Sequence, residues 1–279
     1  MFKIGLSTPS CAEINEELFQ QYKEAGISYM EISLAGELAN NINFETARVL
    51  ADKYGIVLWS FHLPFWPFSE IDISKPEIAE RTLEYLKGFI DKASAVGIDK
   101  FVIHASGEPI KDEERPLRME TAKKSLAILA DYAGERGAKI IVENLPRTCL
   151  GRNSSDIKEL LSAHDALLSC FDTNHLLCQD FCEYLDDVGD KIVTLHVSDY
   201  DFKDERHWLP YEGKIDWQKM LAKLKEINYS GIWLYEIELN APWTIERERA
   251  LNMSDFVNNA NSLFAGEAPS FLGKPKENL

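Results

Sequence analysis

The sequence predicts a single (β/α)8 TIM barrel, and three observations support this fold class. Short apolar runs alternate with longer amphipathic stretches along the chain. The short runs are almost continuously hydrophobic, which is typical of parallel strands that are covered on both faces. No linker or low-complexity segment interrupts the alternation within the 279 residues, a length that suits one barrel.

Eight of the apolar runs are predicted strands, each followed by a helical pattern. They are residues 3–7, 29–34, 56–62, 100–105, 139–144, 167–173, 191–197 and 231–237. An open doubly wound sheet is the alternative fold, but it would need a Gly-rich phosphate-binding turn after its first strand. The residues after the first predicted strand, TPSCAEI, contain no glycine. The barrel is therefore favoured.

Two of the helices can be bounded from their start and stop signals. Residues 74–97 have Pro76 near the first turn and end at Gly97, and residues 120–137 end at a glycine in the same way. The segment after the last helix is rich in glycine and proline. We therefore assign residues 1–264 to the barrel and 265–279 to a C-terminal tail outside it.

Composition excludes several classes of protein. The formal net charge of −16 disfavours nucleic acid as a partner, because such a surface repels phosphates. No apolar run is long enough to span a membrane, and the first residues lack the apolar region of a secretory signal. The five cysteines form no C-x-x-C pair, which favours reduced thiols and a cytoplasmic protein. The sequence leaves open whether the protein forms a homo-oligomer.

Ionisable residues stand at the ends of six predicted strands. They are His62, His104, Glu143, Asp172, His196 and Glu236. The C-terminal strand ends carry the chemistry in such barrels. One histidine there is more often structural, but six converging groups would repel or neutralise unless a cation lay among them. Two Glu, one Asp and one His suit a divalent Mn, Zn, Co or Mg ion.

The segment LHVSDYDFKDERHWLPYEGKIDW, residues 195–217, resembles the seventh-strand segment of the xylose isomerase-like barrel superfamily. The matching residues are His196, Asp199, His207, Pro210, Gly213, Ile215 and Asp216. Tyr211 departs from the pattern, since the family has the first glycine of a G-E-G motif there. The superfamily includes sugar isomerases and epimerases, inosose isomerase-type enzymes and endonuclease IV. The resemblance covers nearly the whole chain.

Resemblance to the epimerase branch implies a metal-dependent isomerase or epimerase of carbohydrate metabolism. One divalent metal would be bound by Glu143, Asp172, His196 and Glu236. Glu143 and Glu236 would be the catalytic pair, one removing and the other returning a proton through a metal-stabilised enediolate. The expected partner is a small sugar or polyol. Its predicted contacts are His62, His104, His175, His207, Trp66 and Trp208.

Two departures from the pattern of the epimerase branch limit the range of possible substrates. Ketose 3-epimerases of this branch carry a second Glu six residues after the first and an Arg six residues after the histidine ligand. Cys149 and Phe202 stand at those positions here. This argues against a plain ketose 3-epimerase and leaves a keto-inositol, a keto-glycoside or another unphosphorylated polyol equally open.

The alternative function is that of a multi-zinc phosphodiesterase acting on DNA. Endonuclease IV holds three zinc ions with nine ligands on this barrel, and only Glu205 departs from that set, which has Asp there. The corresponding residues here are His62, His104, Glu143, Asp172, His175, His196, Glu205, His207 and Glu236. The negative charge and the aromatic, acidic segment FHLPFWPFSEID favour a sugar instead. A barrel that only binds sugar would not need two opposed carboxylates.

Overall fold

The predicted barrel is confirmed by a computed structural model, which describes residues 2–277 apart from the side chain of Glu37. All eight predicted strands are present. They are β1 Ile4–Ser7, β2 Tyr29–Ile32, β3 Val57–His62, β4 Lys100–Ile103, β5 Lys139–Glu143, β6 Leu168–Asp172, β7 Ile192–His196 and β8 Trp233–Tyr235. Neighbouring strands pair in parallel in the order β7-β6-β5-β4-β3-β2-β1-β8. The order fits a barrel rather than a doubly wound sheet.

The barrel closes between β7 and β8 through a single bridge just past the end of β7. Val197 pairs in parallel with Tyr235, and its N–H donates to the carbonyl oxygen of Leu234 at 2.8 Å. The junction lies at the C-terminal ends of the strands. His196 and Glu236 are therefore held at the same height on the barrel rim.

Helices lie between the strands and after β8. They are α1 Glu16–Ala25, α2 Gly36–Asn40, α3 Phe44–Tyr54, α4 Ala79–Ala95, α5 Arg115–Gly134, α6 Ser154–Leu161, α7 Phe181–Val188, α8 Trp217–Glu226 and α9 Met253–Ala265. Pro76 lies in the turn that leads into α4, and Gly97 adopts a left-handed φ of +88° just after it. The C-terminal end of α4 therefore agrees with the prediction, whereas the helix begins at Ala79, after Pro76 rather than around it. Within residues 2–277, no helix is long and apolar enough to cross a membrane.

Strand side chains alternate between the barrel interior and the helices. Phe101, Ile140 and Phe171 belong to the main core, whereas Val102, Ile141 and Cys170 form a separate buried cluster. Because side chains two positions apart share a face, that second cluster is followed on the same face by His104, Glu143 and Asp172. The alternation therefore places an ionisable group above an apolar layer at each of these strand ends.

The segment assigned to a tail makes one strand contact with the barrel rim. β10, Lys274–Pro275, pairs antiparallel with β9, Ile245–Glu246, which lies between β8 and α9. The Gly273 N–H donates to Glu212 at 2.6 Å, and Arg247 also binds that carboxylate. Residues 1, 278 and 279 of the assigned ranges lie outside the described residues.

Candidate active site

Four of the predicted ligands converge at the C-terminal end of the barrel. Ligand atoms of Glu143, Asp172, His196 and Glu236 all lie within 4.8 Å of one another. The Nδ1 atom of His196 is 2.9 Å from Glu143 Oε1 and 3.2 Å from Glu236 Oε2. Glu143, Asp172 and His196 are fully buried, and the Glu236 side chain is 22% exposed. The set is open only on the side of Glu236.

One of these carboxylates is incompletely paired among the described residues. Asp172 Oδ2 is buried and has no hydrogen-bond partner there. Burial raises the pKa of Asp172 to about 7; His175 opposes this shift and Glu143 adds to it. A buried carboxylate in this state is stabilised by a proton or by a cation. The donor set of three carboxylates and one imidazole fits a divalent metal ion.

Histidines hold the other two carboxylates in the charged form. Burial alone would raise the pKa of Glu143, but His196, His104 and His62 outweigh it and keep the pKa well below its usual range. Burial is likewise outweighed at Glu236, where His196 lowers the pKa to about 2. Both groups are therefore carboxylates at neutral pH, as a metal ligand or a general base must be.

Three histidines around this set are oriented by backbone carbonyls. Their Nδ1 atoms face the carbonyl oxygens of Leu63 (from His62, 3.0 Å), Asn144 (from His175, 2.8 Å) and Glu236 (from His207, 3.2 Å). A carbonyl oxygen can only accept, so each Nδ1 carries the proton. Each Nε2 then faces a carboxylate. The partner is Glu143 for His62 at 3.1 Å and Glu205 for His207 at 3.0 Å and His175 at 3.8 Å.

Glu205 links the outer histidines to an arginine on the neighbouring loop. Its Oε1 faces His207, and its Oε2 is 2.8 Å from Arg147 Nη2. The pKa of His207 is raised to about 9 and that of His175 to about 10; burial would lower both, but carboxylates outweigh it. Glu205 acts on both rings, and Asp172 is the largest such influence on His175. Arg147 and His207 both have left-handed backbones, with φ of +50° and +51°.

Glu31 is a buried carboxylate of the site that the sequence prediction missed. It is fully buried on β2, where it accepts hydrogen bonds from Ser60 Oγ at 2.6 Å and Ser7 Oγ at 3.2 Å. Its Oε1 lies 3.0 Å from His196 Nε2, although this contact is not aligned as a hydrogen bond. A charged residue inside an apolar strand was the signal that could have identified it.

The loop of residues 197–216 carries His207 and is organised by Asp199. Asp199 pairs with Trp208 in an antiparallel bridge, and its carboxylate accepts from Trp217 Nε1 and from backbone N–H groups. A Cβ at Gly213 would lie 2.2 Å from Asp199 Oδ1, so glycine is required there. Tyr211 has a φ of +77°. It keeps a conformation that glycine adopts readily, which explains how the loop tolerates this departure.

The two aromatic residues predicted to contact the substrate differ in exposure. Trp66 is 57% exposed and lines a cavity beside the barrel mouth. Trp208 is only 1% exposed and donates from Nε1 to Thr244 Oγ1 at 2.9 Å. Its position corrects the predicted substrate contact, because the bridge to Asp199 turns the indole into the core. His62, His104, His175 and His207 all border the mouth cavities.

The nine residues of the nuclease alternative also fall into groups of metal-ligating size. Besides the four-residue set, His62, His104 and Glu143 form one group, and His175, Glu205 and His207 form another. In the second group, the Oε2 atom of Glu205 is paired with Arg147. That carboxylate is therefore satisfied by protein groups, unlike Asp172.

The chain belongs to the xylose isomerase-like TIM barrel family, whose sequence model matches residues 19–253. An uncharacterised protein of Methanocaldococcus jannaschii is 26% identical over 199 residues, 68% of this chain and 67% of that protein. Fructoselysine 3-epimerase of Escherichia coli O157:H7 is 27% identical over 146 residues, 47% of this chain and 53% of that enzyme.

Solved structures share the fold over most of the chain. A D-tagatose 3-epimerase-like protein matches with a TM-score of 0.78 and 22% identity, covering 94% of this chain and 96% of that one. The 3-keto-D-glucoside 4-epimerase from E. coli matches with a TM-score of 0.75 and 19% identity, covering 95% and 100%. At these identities the likeness establishes the barrel architecture.

Proposed function

We propose that this protein is a divalent-metal-dependent isomerase or epimerase of a sugar or polyol. The observation that carries the proposal is the pair of carboxylates, Glu143 and Glu236, on either side of His196 Nδ1 at 2.9 and 3.2 Å. Two charged carboxylates at one open barrel mouth suit a reaction in which a proton is removed and replaced. The fructoselysine and keto-glucoside epimerases among the similar proteins support this reaction class.

The residues fit a resident metal ion. Glu143, Asp172, His196 and Glu236 would hold it, and the unpartnered Asp172 Oδ2 supports a cation at this place. A divalent metal there supplies positive charge next to the sugar oxygens, which favours loss of the proton beside the carbonyl. Its binding would also offset the repulsion among three carboxylates that lie close together.

Proton transfer and substrate contacts are assigned to side chains of the protein. Either Glu143 or Glu236 removes the proton on the carbon beside the carbonyl, and the other returns one through an enediolate. Return to the opposite face of that carbon gives an epimer, and delivery to the neighbouring carbon gives an isomer. His175 and His207 border the cavity at the mouth, where they can contact substrate oxygens.

Solvent exchange tests the proposal. Keto-sugars and keto-inositols are incubated in D2O with the protein loaded with Mn²⁺, Co²⁺, Zn²⁺ or Mg²⁺, and the products are followed by NMR. We expect deuterium on the carbon beside the carbonyl, because the proton held by a carboxylate exchanges with solvent. If no metal gives either deuterium exchange or turnover, this result would contradict the proton-transfer role of Glu143 and Glu236.

Phosphodiester hydrolysis by three zinc ions is the second candidate. It is favoured because all nine predicted ligands fall within four overlapping groups of metal-ligating size. It is disfavoured by the net charge of −16 and by the Arg147–Glu205 pair, which competes for a ligand of the outer set. Cleavage of duplex DNA with an abasic site by zinc-loaded protein would establish it, and the sugar exchange reaction would then be absent.

A further inference from the structure

The cavity at the barrel mouth has a small part and a larger part. The near cavity, of about 110 Å³, touches Glu143 and His175, whereas the side cavity, of about 310 Å³, lies at the ends of β1, β2 and β8. Three residues, Phe65, His207 and Glu236, border both. The two cavities are therefore adjacent, and Glu236 of the proposed catalytic pair faces both of them.

The volumes indicate that one sugar ring would not fill this space. A protein cavity of about 150 Å³ holds one benzene molecule. The near cavity therefore has room for the reacting end of a sugar, and the side cavity alone has room for about two further rings. A third cavity of about 210 Å³ shares Ser33 and Phe65 with the side cavity and leads to the exposed Trp66.

The lining of the side cavity favours an uncharged occupant. Its two basic side chains are already paired, Arg206 with Asp201 at 3.0 Å and His207 with Glu205 at 3.0 Å, and Glu236 and Glu238 add negative charge to the wall. A phosphate or carboxylate would be repelled there. The remaining walls combine hydroxyl side chains with apolar surface. They are formed by Ser7, Thr8, Ser10, Ser33, Phe65, Ile237 and Pro242.

Two exposed aromatic side chains are neighbours in the chain of residues that line the side cavity. Trp66 follows Phe65 and is 57% exposed, and Trp243 follows Pro242 and is 74% exposed. Exposed indoles next to a hydroxyl-lined cavity suit the apolar face of a sugar ring or an aromatic group. Trp66 lines the third cavity and is therefore placed to contact a ligand that extends out of the side cavity.

We infer that the reacting sugar carries an uncharged substituent, such as a glycosidically linked sugar or aryl group, which lies in the side cavity beside Ser33. This inference rests on the proposed function, because it takes Glu143 and Glu236 as the place of reaction. It selects a substituted keto-sugar over a free monosaccharide or a bare inositol. Recognition of the substituent is separate from the chemistry at the near cavity.

The test compares one 3-keto-sugar in its free form and as its phenyl and glucosyl glycosides. Wild-type protein is expected to show a kcat/KM at least about tenfold higher for the glycosides, the order of effect of filling an apolar pocket. Ser33→Phe fills the side cavity and should lower the ratio of kcat/KM for glycoside to free sugar by about tenfold or more. Pro242→Trp fills it from the opposite wall and serves if the first variant does not fold.

Ser162→Phe is the matched control, because this exposed serine follows α6 at the other end of the barrel. It should leave the ratio at the wild-type value. A wild-type preference for the free sugar, or an equal loss for both substrates in the filled variants, would overturn the inference while the proposed function stands.

Binding of the unreactive, carbonyl-reduced phenyl glycoside, measured by calorimetry, separates the two possible failures. If this ligand binds to wild type and is lost in Ser33→Phe but no keto-sugar exchanges deuterium, the side cavity is supported and the proposed function is wrong. If it binds equally to both proteins or to neither, the inference about the side cavity is wrong.

Discussion

Asp72 and Asp172 are both buried carboxylates, yet their surroundings differ in kind. Each oxygen of Asp72 is satisfied: Oδ1 accepts from the N–H and Oγ of Ser74, and Oδ2 accepts from Arg118 Nη2 at 2.7 Å and Gly107 N at 2.9 Å. Asp172 shares the barrel mouth with two further carboxylates, and its Oδ2 has no hydrogen-bond partner among residues 2–277.

The difference separates a group that supports the fold from one that is available for chemistry. In the Asp72 cluster one anion meets one cation and all polar atoms are paired, which is how a buried charge stabilises a structure. At the mouth Asp172 Oδ2 has no hydrogen-bond partner among the described residues, and burial raises the pKa of Asp172 to about 7. A buried carboxylate with a raised pKa is typical of functional sites.

The largest expected effect is on turnover. Glu143→Gln and Glu236→Gln should each lower kcat by about 10²–10⁴-fold, because each removes a group that takes or gives the proton. Metal content is measured first, since Gln keeps one ligating oxygen and part of the metal should remain. Asp72→Asn is the control: it changes the same type of group in the satisfied cluster. An equal fall in kcat for Asp72→Asn would remove the distinction between the two regions.

The next effect is a loss of stability, which we expect only for the Asp72 cluster. Arg118→Ala leaves Asp72 buried without its cation, so we expect a loss of about 3–5 kcal/mol in the free energy of unfolding. Denaturant titration measures it, and metal content should be unchanged. The exposed pair of Arg136 and Asp91 provides the comparison, since Arg136→Ala should cost much less. A loss of metal in Arg118→Ala would link the two regions.

A smaller effect is expected beneath the proposed metal centre. Glu31 faces the ring nitrogen of His196 that does not point at the other ligands, so Glu31→Gln should weaken metal affinity by about 10–100-fold. Competition with a chromogenic chelator measures this without any substrate. Glu212→Gln alters another buried carboxylate, which is paired with Arg247, and should leave metal affinity as in wild type. Similar affinities in the two variants would refute the role of Glu31.

The smallest effect concerns the loop that carries His207. Because Tyr211 already has a left-handed φ of +77°, Tyr211→Gly should change the free energy of unfolding by less than about 1 kcal/mol. Tyr211→Val should be more destabilising, since a β-branched residue is poorly tolerated there. Thermal unfolding compares the two variants. If valine is tolerated as well as glycine, the backbone at this position is not what the loop requires.

The strands and the main site could be predicted because both depend on local periodicity. Once the runs ending at His104, Glu143, Asp172 and His196 are identified as parallel strands, barrel geometry brings their last inward residues together. Only the sequence pattern and the general architecture are needed for this step.

The errors occurred where a distant contact determines the orientation of a side chain. Trp208 follows a predicted strand but is drawn into the core by its bridge to Asp199. Glu31 lies within an apolar run, and its contact with His196 joins β2 to β7 across the barrel. Neither contact leaves a mark in the spacing of residues along the chain.

The metal content of the purified protein tests the central claim directly. The claim is that Glu143, Asp172, His196 and Glu236 form a metal centre and that the Asp72 cluster does not. Elemental analysis after dialysis should find about one divalent ion per chain in wild type, a similar amount in His207→Ala and almost none in His196→Ala. About three zinc ions per chain in wild type, or equal loss of metal in both variants, would contradict the account and favour the larger cluster.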